Sequence, residues 1–291
     1  MLQVDRLYEA VAQRGPVCVG LDTDPSYLPE GFAQPGRTAG ENVFAFNREI
    51  IEATKAAAAC FKVQIAYYEA LGLDGLRAYK ATVEYLRAQG LPVIADVKRG
   101  DIAKTAEMYA RAHFTGELEA DWMTLAPYMG LDSIEPYAQY MRENGKGVFV
   151  LCRTSNPGAK DFEYEALADG RHVYDMVGDK LNAMGKAFLG ESGYSSLGLV
   201  IGGTHIEEAR QIRARYRDSF FLIPGYGAQG GTAEDVQYAF DRKGCGAVVN
   251  ASRSIMCAWQ KTGKGGADFQ EAARAAAEAM RDAIGQYVTI L

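Results

Sequence analysis

Eight short apolar runs rich in Val, Ile and Leu recur along the chain, and each is followed by a long stretch with helical spacing. The runs are Pro16–Asp22, Ala59–Gln64, Pro92–Lys98, Trp122–Ala126, Gly147–Arg153, Leu197–Gly202, Phe220–Pro224 and Ala247–Ser252. Nearly continuous apolar runs of this length read as strands buried on both faces, and alternation with helices makes them parallel. The helical patterns cover Gly40–Ala58, Gly75–Gln89, Ile102–Gly116, Leu131–Glu143, Arg171–Gly190, His205–Tyr216, Thr232–Lys243 and Ala267–Tyr287. A further helix over Val4–Gln13 precedes the first strand and is expected to cover one end of the sheet. Eight strand–helix units predict an α/β fold of the (β/α)8, or TIM-barrel, type. An open doubly wound sheet is the alternative; the strand number and the long terminal helix favour closure. Such a barrel takes about 250 residues, so it fills most of a 291-residue chain. No repeat or low-complexity linker splits the sequence, and residues 1–291 are expected to form a single domain, with Lys160–Ser196 as an inserted loop–helix segment.

The charge balance narrows the partners. Thirty-one Lys and Arg against 37 Asp and Glu leave a net charge of −6. An acidic chain is a poor nonspecific ligand for nucleic acid, although a local basic pocket can still hold a phosphate. Five cysteines, an odd number without Cys-x-x-Cys spacing, argue against a disulfide framework or a zinc site and fit a reducing cytosol. Acidic residues lie near the start, where a signal peptide would be basic and then apolar. No apolar run approaches the roughly 18 residues that span a bilayer. A soluble cytoplasmic protein is expected, with neither nucleic acid nor membrane as partner. His113, His172 and His205 have no metal-ligand spacing, and no metal site is expected. The five Cys and most of the Tyr, including Tyr67, Tyr68, Tyr109 and Tyr128, are expected to serve packing.

In a closed barrel the functional groups lie at the carboxyl ends of the strands and in the loops that follow. The polar residues of this chain gather there. Asp22 ends the first run, Lys62 lies near the end of the second, and Asp96 and Lys98 end the third. Strand side chains alternate faces, so Asp96 and Lys98 point the same way, with Asp101 three residues on. A lysine among carboxylates keeps its proton at neutral pH, which suits a proton donor and disfavours a Schiff base. A structural ion-pair network at a strand end is the plain alternative. Lys62 in an apolar strand needs an anion to offset its desolvation, unless it snorkels to the rim. Gly225–Gly231 and Asn250–Ile255 follow the last two runs. Glycines let backbone N–H groups approach an anion, Arg253 offers a bidentate grip, and the loops after strands 7 and 8 often bind phosphate. Ordinary turn chemistry accounts for the glycines alone. No G-x-x-x-x-G-K-[ST] pattern occurs, which disfavours a P-loop nucleotide hydrolase. Arg153–Gly158 offers hydroxyls and an amide for a polar ring edge, or simply a turn.

These segments together resemble orotidine 5′-phosphate decarboxylases, in their longer bacterial (type 2) subgroup. The resemblance rests on Gly20–Pro25, Phe61–Glu69, Asp96–Ala106, Thr154–Gly158, Pro224–Gly231 and Ala251–Ile255, in that order over nearly the whole length. It implies decarboxylation of orotidine 5′-monophosphate to UMP and carbon dioxide without a cofactor, a step of pyrimidine nucleotide synthesis. Lys98 is then the donor of a proton to C6, and Asp96 lies beside the departing carboxylate. Lys62 and Asp101 complete a Lys-Asp-Lys-Asp array, Asp101 coming from the second subunit of a homodimer. Asp22, Lys62 and the partner's Thr105 hold the ribose, and Ser155 reads the pyrimidine edge. Gln229, Arg253 and the backbone near Ser252 hold the phosphate, and Ile102 and Pro224 form apolar wall. Loops Thr154–Asp161 and Gly225–Thr232 are expected to close over the ligand. Related barrels that act on sugar phosphates through a magnesium-bound enediolate are the alternative. A Schiff-base aldolase and a nucleotide-binding sensor are more distant ones.

Overall fold

The fold is that of a computed structural model that describes residues 1–203, 206–227 and 231–290, with Ile206 and Glu207 by their backbone alone. Helix α1 (Gln3–Arg14) leads into β1 (Val17–Leu21), followed by α2 (Ala39–Thr54), β2 (Cys60–Gln64), a short α3 (Ile65–Glu69) and α4 (Gly72–Ala88). Then come β3 (Val93–Arg99), α5 (Ala103–Phe114), β4 (Trp122–Leu125), α6 (Glu135–Glu143), β5 (Gly147–Arg153) and α7 (Val173–Gly185). The chain continues through β6 (Ser195–Ile201), α8 (Ile206–Arg215), β7 (Ser219–Ile223), α9 (Ala233–Val236), β8 (Ala247–Ala251), α10 (Arg253–Met256) and α11 (Phe269–Gly285). The eight strands pair in parallel and in sequence order, and β8 closes on β1. The expected barrel is therefore the observed one.

Alternation along each strand builds two cores. One set of side chains, including Val19, Phe61, Val63 and Val249, faces the surrounding helices. The other, including Cys18, Cys60, Ile94, Trp122, Phe149, Phe220 and Val248, fills the barrel and meets Val4, Leu7 and Val11 of α1, so α1 covers the amino-terminal end as expected. Trp122 and Phe149 stack at 4.5 Å. Their space depends on two residues without side chains: a Cβ on Gly147 would lie 2.4 Å from the Trp122 ring, and one on Gly198 would lie 2.6 Å from Phe149. With that end packed shut, the carboxyl ends of the strands are left as the open mouth.

Two expectations change. The helix expected over Thr232–Lys243 shortens to α9 and one 3-10 turn over Gln237–Ala239. Phe240 is extended, and the Asp241 carboxylate accepts from the N–H groups of Lys243 and Cys245, so a local turn replaces the last helical turn. Within Lys160–Ser196, α7 is the ordinary link between β5 and β6 rather than added structure, which leaves the connection ahead of α7 as the unusual part. That connection braces the end of β5. Thr154 donates through its N–H and its hydroxyl to the two oxygens of Glu163 (2.7 and 2.6 Å), and the buried Arg153 guanidinium donates to Tyr164 Oη at 2.7 Å.

Candidate active site

The open mouth is a cavity of about 670 Å³, with a wall that includes Asp22, Lys62, Gln64, Asp96, Lys98, Thr124, Ser155, Pro224, Tyr226, Ser252 and Arg253. Each of these comes from the end of a strand or the turn after it. Of the residues expected at the site, Asp22, Lys62, Asp96, Lys98, Ser155, Pro224, Ser252 and Arg253 are thus brought together in one chain. Gln229 lies outside the described residues.

Asp96 is the hub. Its Oδ2 accepts from Lys62 Nζ at 2.8 Å and Gln64 Nε2 at 2.9 Å. Its Oδ1 accepts from Lys98 Nζ at 2.6 Å and Thr124 Oγ1 at 2.9 Å. A carboxylate has about four lone-pair sites, so this one is fully used and its plane is fixed. Lys62 also reaches Asp22 Oδ1 at 3.1 Å, and Asp22 Oδ2 accepts from Ser252 Oγ at 2.9 Å. Gly20 makes room for that contact, since a Cβ there would lie 2.0 Å from Ser252 Oγ.

Burial and charge compete here, and charge prevails. Burial alone would push the Lys62 ammonium down, but Asp96 and Asp22 hold it above the ordinary lysine range. Burial alone would raise Asp96, but Lys62 and Lys98 hold it below the ordinary carboxylate range. Opposite charges within hydrogen-bond distance favour both charged forms. Removing Lys62 or Asp96, both buried, would strip its neighbour of a buried counter-charge, at a cost of roughly 3–5 kcal/mol. The two lysines differ in access: the Lys62 side chain is 6% exposed, whereas that of Lys98 is 46% exposed. Lys62 is locked, and Lys98 is the cation presented to a ligand.

The backbone at Lys98 is not regular strand. Its φ is +43°, and the β3–β4 register shifts between Ala95 and Arg99. Asp96 and Lys98 both reach the cavity, as alternation predicts, with Ala95 and Val97 on the opposite face. A non-glycine residue at positive φ is strained by about 1–3 kcal/mol and persists only where its surroundings enforce it.

Asp101, Ile102 and Thr105 are not part of the cavity wall of their own chain. Asp101 accepts from the N–H of Ile102, Ile102 is 43% exposed, and Thr105 is exposed on the first turn of α5. Sequence reasoning passed over Thr124, although a signal existed. Thr124 is two residues from Trp122 in a four-residue strand, so it shares the inward face and is the polar member of it. Of the histidines, His113 is core, pushed down to about 4 by burial and by Arg99, and His172 binds the carbonyl of Tyr164; His205 lies outside the described residues. All five cysteines are free, and four are buried. Among the described residues no helix is long and apolar enough to cross a membrane.

Comparisons with known proteins point to one family. A family model described as "Orotidine 5'-phosphate decarboxylase / HUMPS family" matches residues 15–265. An orotidine 5′-phosphate decarboxylase of Clostridium perfringens is 55% identical over 284 residues, covering 98% of each chain. That of Clostridium acetobutylicum is 54% identical over 281 residues, covering 97% of this chain and 98% of its own. The solved structure of the Leishmania donovani OMP decarboxylase superposes with a TM-score of 0.78 at 31% identity, covering 99% of this chain and 98% of that one. With an alternating array of lysines and aspartates at the mouth of a barrel and relatives matched from end to end, this chain belongs to the orotidine 5′-phosphate decarboxylase family.

Proposed function

We propose that the cavity binds orotidine 5′-monophosphate and replaces its C6 carboxylate with a proton, releasing carbon dioxide and leaving UMP. The observation that carries this reading is the pairing of a half-exposed ammonium, Lys98, with a saturated buried carboxylate, Asp96. Relatives named for the reaction match over 97–98% of the chain. Loss of carbon dioxide leaves a carbanion at C6 with no adjacent carbonyl to spread its charge. A cation aimed at that atom lowers the barrier, because it interacts more strongly with the developing anion than with the ground state. Lys98 then gives a proton to C6, and its amine recovers one from water. Asp96 is the anion nearest to the departing carboxylate, and their repulsion is relieved as neutral carbon dioxide leaves.

The remaining contacts orient the nucleotide. Asp22 and Lys62 hold the ribose hydroxyls, and Ser155 reads the ring edge. Pro224 is apolar wall, and Arg253, the backbone at Ser252 and Gln229 take the phosphate. A magnesium-dependent reading is disfavoured by Lys62, whose ammonium bridges Asp22 and Asp96 where a divalent cation would otherwise find its acidic ligands. In a spectrophotometric assay, the ultraviolet absorbance of orotidine 5′-monophosphate is expected to decay at the same rate with and without EDTA. No decay sinks the decarboxylase reading, and loss of activity on chelation sinks the metal-independent one.

The enzyme works as a homodimer with shared sites. Asp101, Ile102 and Thr105 follow β3, and exposed apolar side chains occur on the same helix and after the next strand: Met108 at 40%, Tyr128 at 90% and Met129 at 48%. A second copy on this face covers that surface and carries Asp101, Ile102 and Thr105 into the neighbouring cavity. Lys98→Ala and Asp101→Asn dimers are each expected to be inactive. Mixed after reversible dissociation, they should recover about a quarter of wild-type activity, since half the dimers become hybrids with one intact site of two. No recovery in verified hybrids would place Asp101 outside the partner's site. The cytoplasm is the expected compartment, because free thiols are stable where glutathione and thioredoxin keep them reduced.

A further inference from the structure

We propose that Thr124 is the positioning residue that sets the backbone of Lys98 and thereby aims its amine. This inference rests on the decarboxylase reading for its kinetic consequences, and on geometry alone for its structural ones. Thr124 is 1% exposed, and its hydroxyl makes three hydrogen bonds. It donates to Asp96 Oδ1 at 2.9 Å, and it accepts from the N–H of Val97 at 3.0 Å and of Lys98 at 2.9 Å. A hydroxyl has one proton and two lone pairs, so its capacity is used in full.

Those contacts fall where β3 departs from regular strand. The register of β3 on β4 shifts between Ala95 and Arg99, and Lys98 has φ +43°. In an unbroken parallel ladder these successive N–H groups would point to opposite sides and find carbonyls on the two flanking strands. Here one side-chain oxygen takes two successive N–H groups instead. That substitution lets the backbone turn at Lys98 without leaving buried donors unpaired. The same hydroxyl holds Asp96, so carboxylate and ammonium are referenced to one atom of the neighbouring strand. Pairing Lys98 Nζ with Asp96 at 2.6 Å does not by itself fix where the amine meets a ligand, because a lysine side chain has four rotatable bonds. The backbone under it must be fixed as well, and Thr124 does this from a position that needs no contact with the reacting carbon.

Thr124→Val keeps the branched shape and removes the hydroxyl, and Thr124→Ser keeps the hydroxyl and removes the methyl. The expected result for Thr124→Val is a fall in kcat of roughly 10–100-fold, with KM for orotidine 5′-monophosphate and Kd for UMP within about 3-fold of wild type, since misplacement of a catalytic group by about 1 Å costs on this order. Thr124→Ser should return kcat to within about 3-fold of wild type. A crystal structure of Thr124→Val should show Lys98 moved out of its positive-φ conformation. Unchanged kcat in folded Thr124→Val, equal losses in Val and Ser, or Lys98 still at φ near +43° in the valine variant would each overturn the proposal. If Thr124→Val fails to fold, Thr124→Ala against Thr124→Ser is read by the same criteria. An inactive wild type would refute the decarboxylase reading instead, and the crystallographic comparison would still decide the role of Thr124.

Discussion

Replacing Lys98 by alanine is expected to lower kcat by at least about 10⁴-fold, because on the proposed mechanism the change removes both the general acid and the cation aimed at the carbanion. Each contribution alone is usually worth about 10²–10⁴, and here one atom supplies both. The protein should nonetheless fold. Lys98 is half exposed, and Asp96 keeps its bonds to Lys62, Gln64 and Thr124 when the Lys98 amine is gone. UMP should therefore still bind, with a Kd within about tenfold of wild type, since a change of 1.4 kcal/mol corresponds to a factor of ten. Steady-state decay of orotidine 5′-monophosphate and calorimetric binding of UMP measure the two quantities separately. Near-normal turnover would remove Lys98 from the chemistry. Loss of UMP affinity in step with kcat would make it a binding residue instead. Lys62→Ala should behave differently, leaving Asp22 and Asp96 facing each other without their shared cation and lowering stability as well as rate.

The barrel was legible because its signal is redundant: eight buried runs, each bounded by turn residues, leave little freedom in strand number or order. Strand β5 runs from Gly147 to Arg153 as the pattern predicts. The signal failed where a side chain competes with the helix for backbone N–H groups, as Asp241 does after α9. At the site, contiguous polar residues were easy to find. Asp96 and Lys98 share a strand and stand out against Val93–Ala95. Thr124 has a weaker signal: its spacing puts it on the inward face with Trp122, but a threonine in a strand reads as an ordinary β-branched residue until the neighbouring strand shows what its hydroxyl meets. The positive φ of Lys98 has no marker in composition, since lysine carries no preference for it. Spacing is equally silent on the subunit to which Asp101, Ile102 and Thr105 turn. Their expected place came from the family resemblance, and the exposure of Ile102, with that of Tyr128 after the next strand, is the physical observation that supports it.

Arg253→Ala is expected to lower kcat/KM by roughly 10²–10³-fold, the effect of losing two charge-assisted hydrogen bonds to a phosphate. Although the phosphate is remote from C6, KM should not change alone. Arg253 sits at the start of α10 and lines the same cavity as Ser155 and as Pro224 and Tyr226 after β7. On the proposed reading, a phosphate held there would give the Thr154–Asp161 and Gly225–Thr232 loops an anion to close upon, and closure would exclude water from the ring. Part of the binding energy is thus expressed at C6, and kcat should fall about 3–10-fold while KM rises more, because a group that drives closure acts on both constants. The substrate lacking its phosphate separates this from a general defect. On orotidine itself, wild type and Arg253→Ala should turn over at nearly equal, low rates. In hydrogen exchange, UMP should slow the two loops in wild type and leave them nearly unchanged in the variant. Equal losses on orotidine and on its monophosphate would mean that Arg253 acts on the fold or the ring, because a residue that works through the phosphate has nothing to grip when the phosphate is absent.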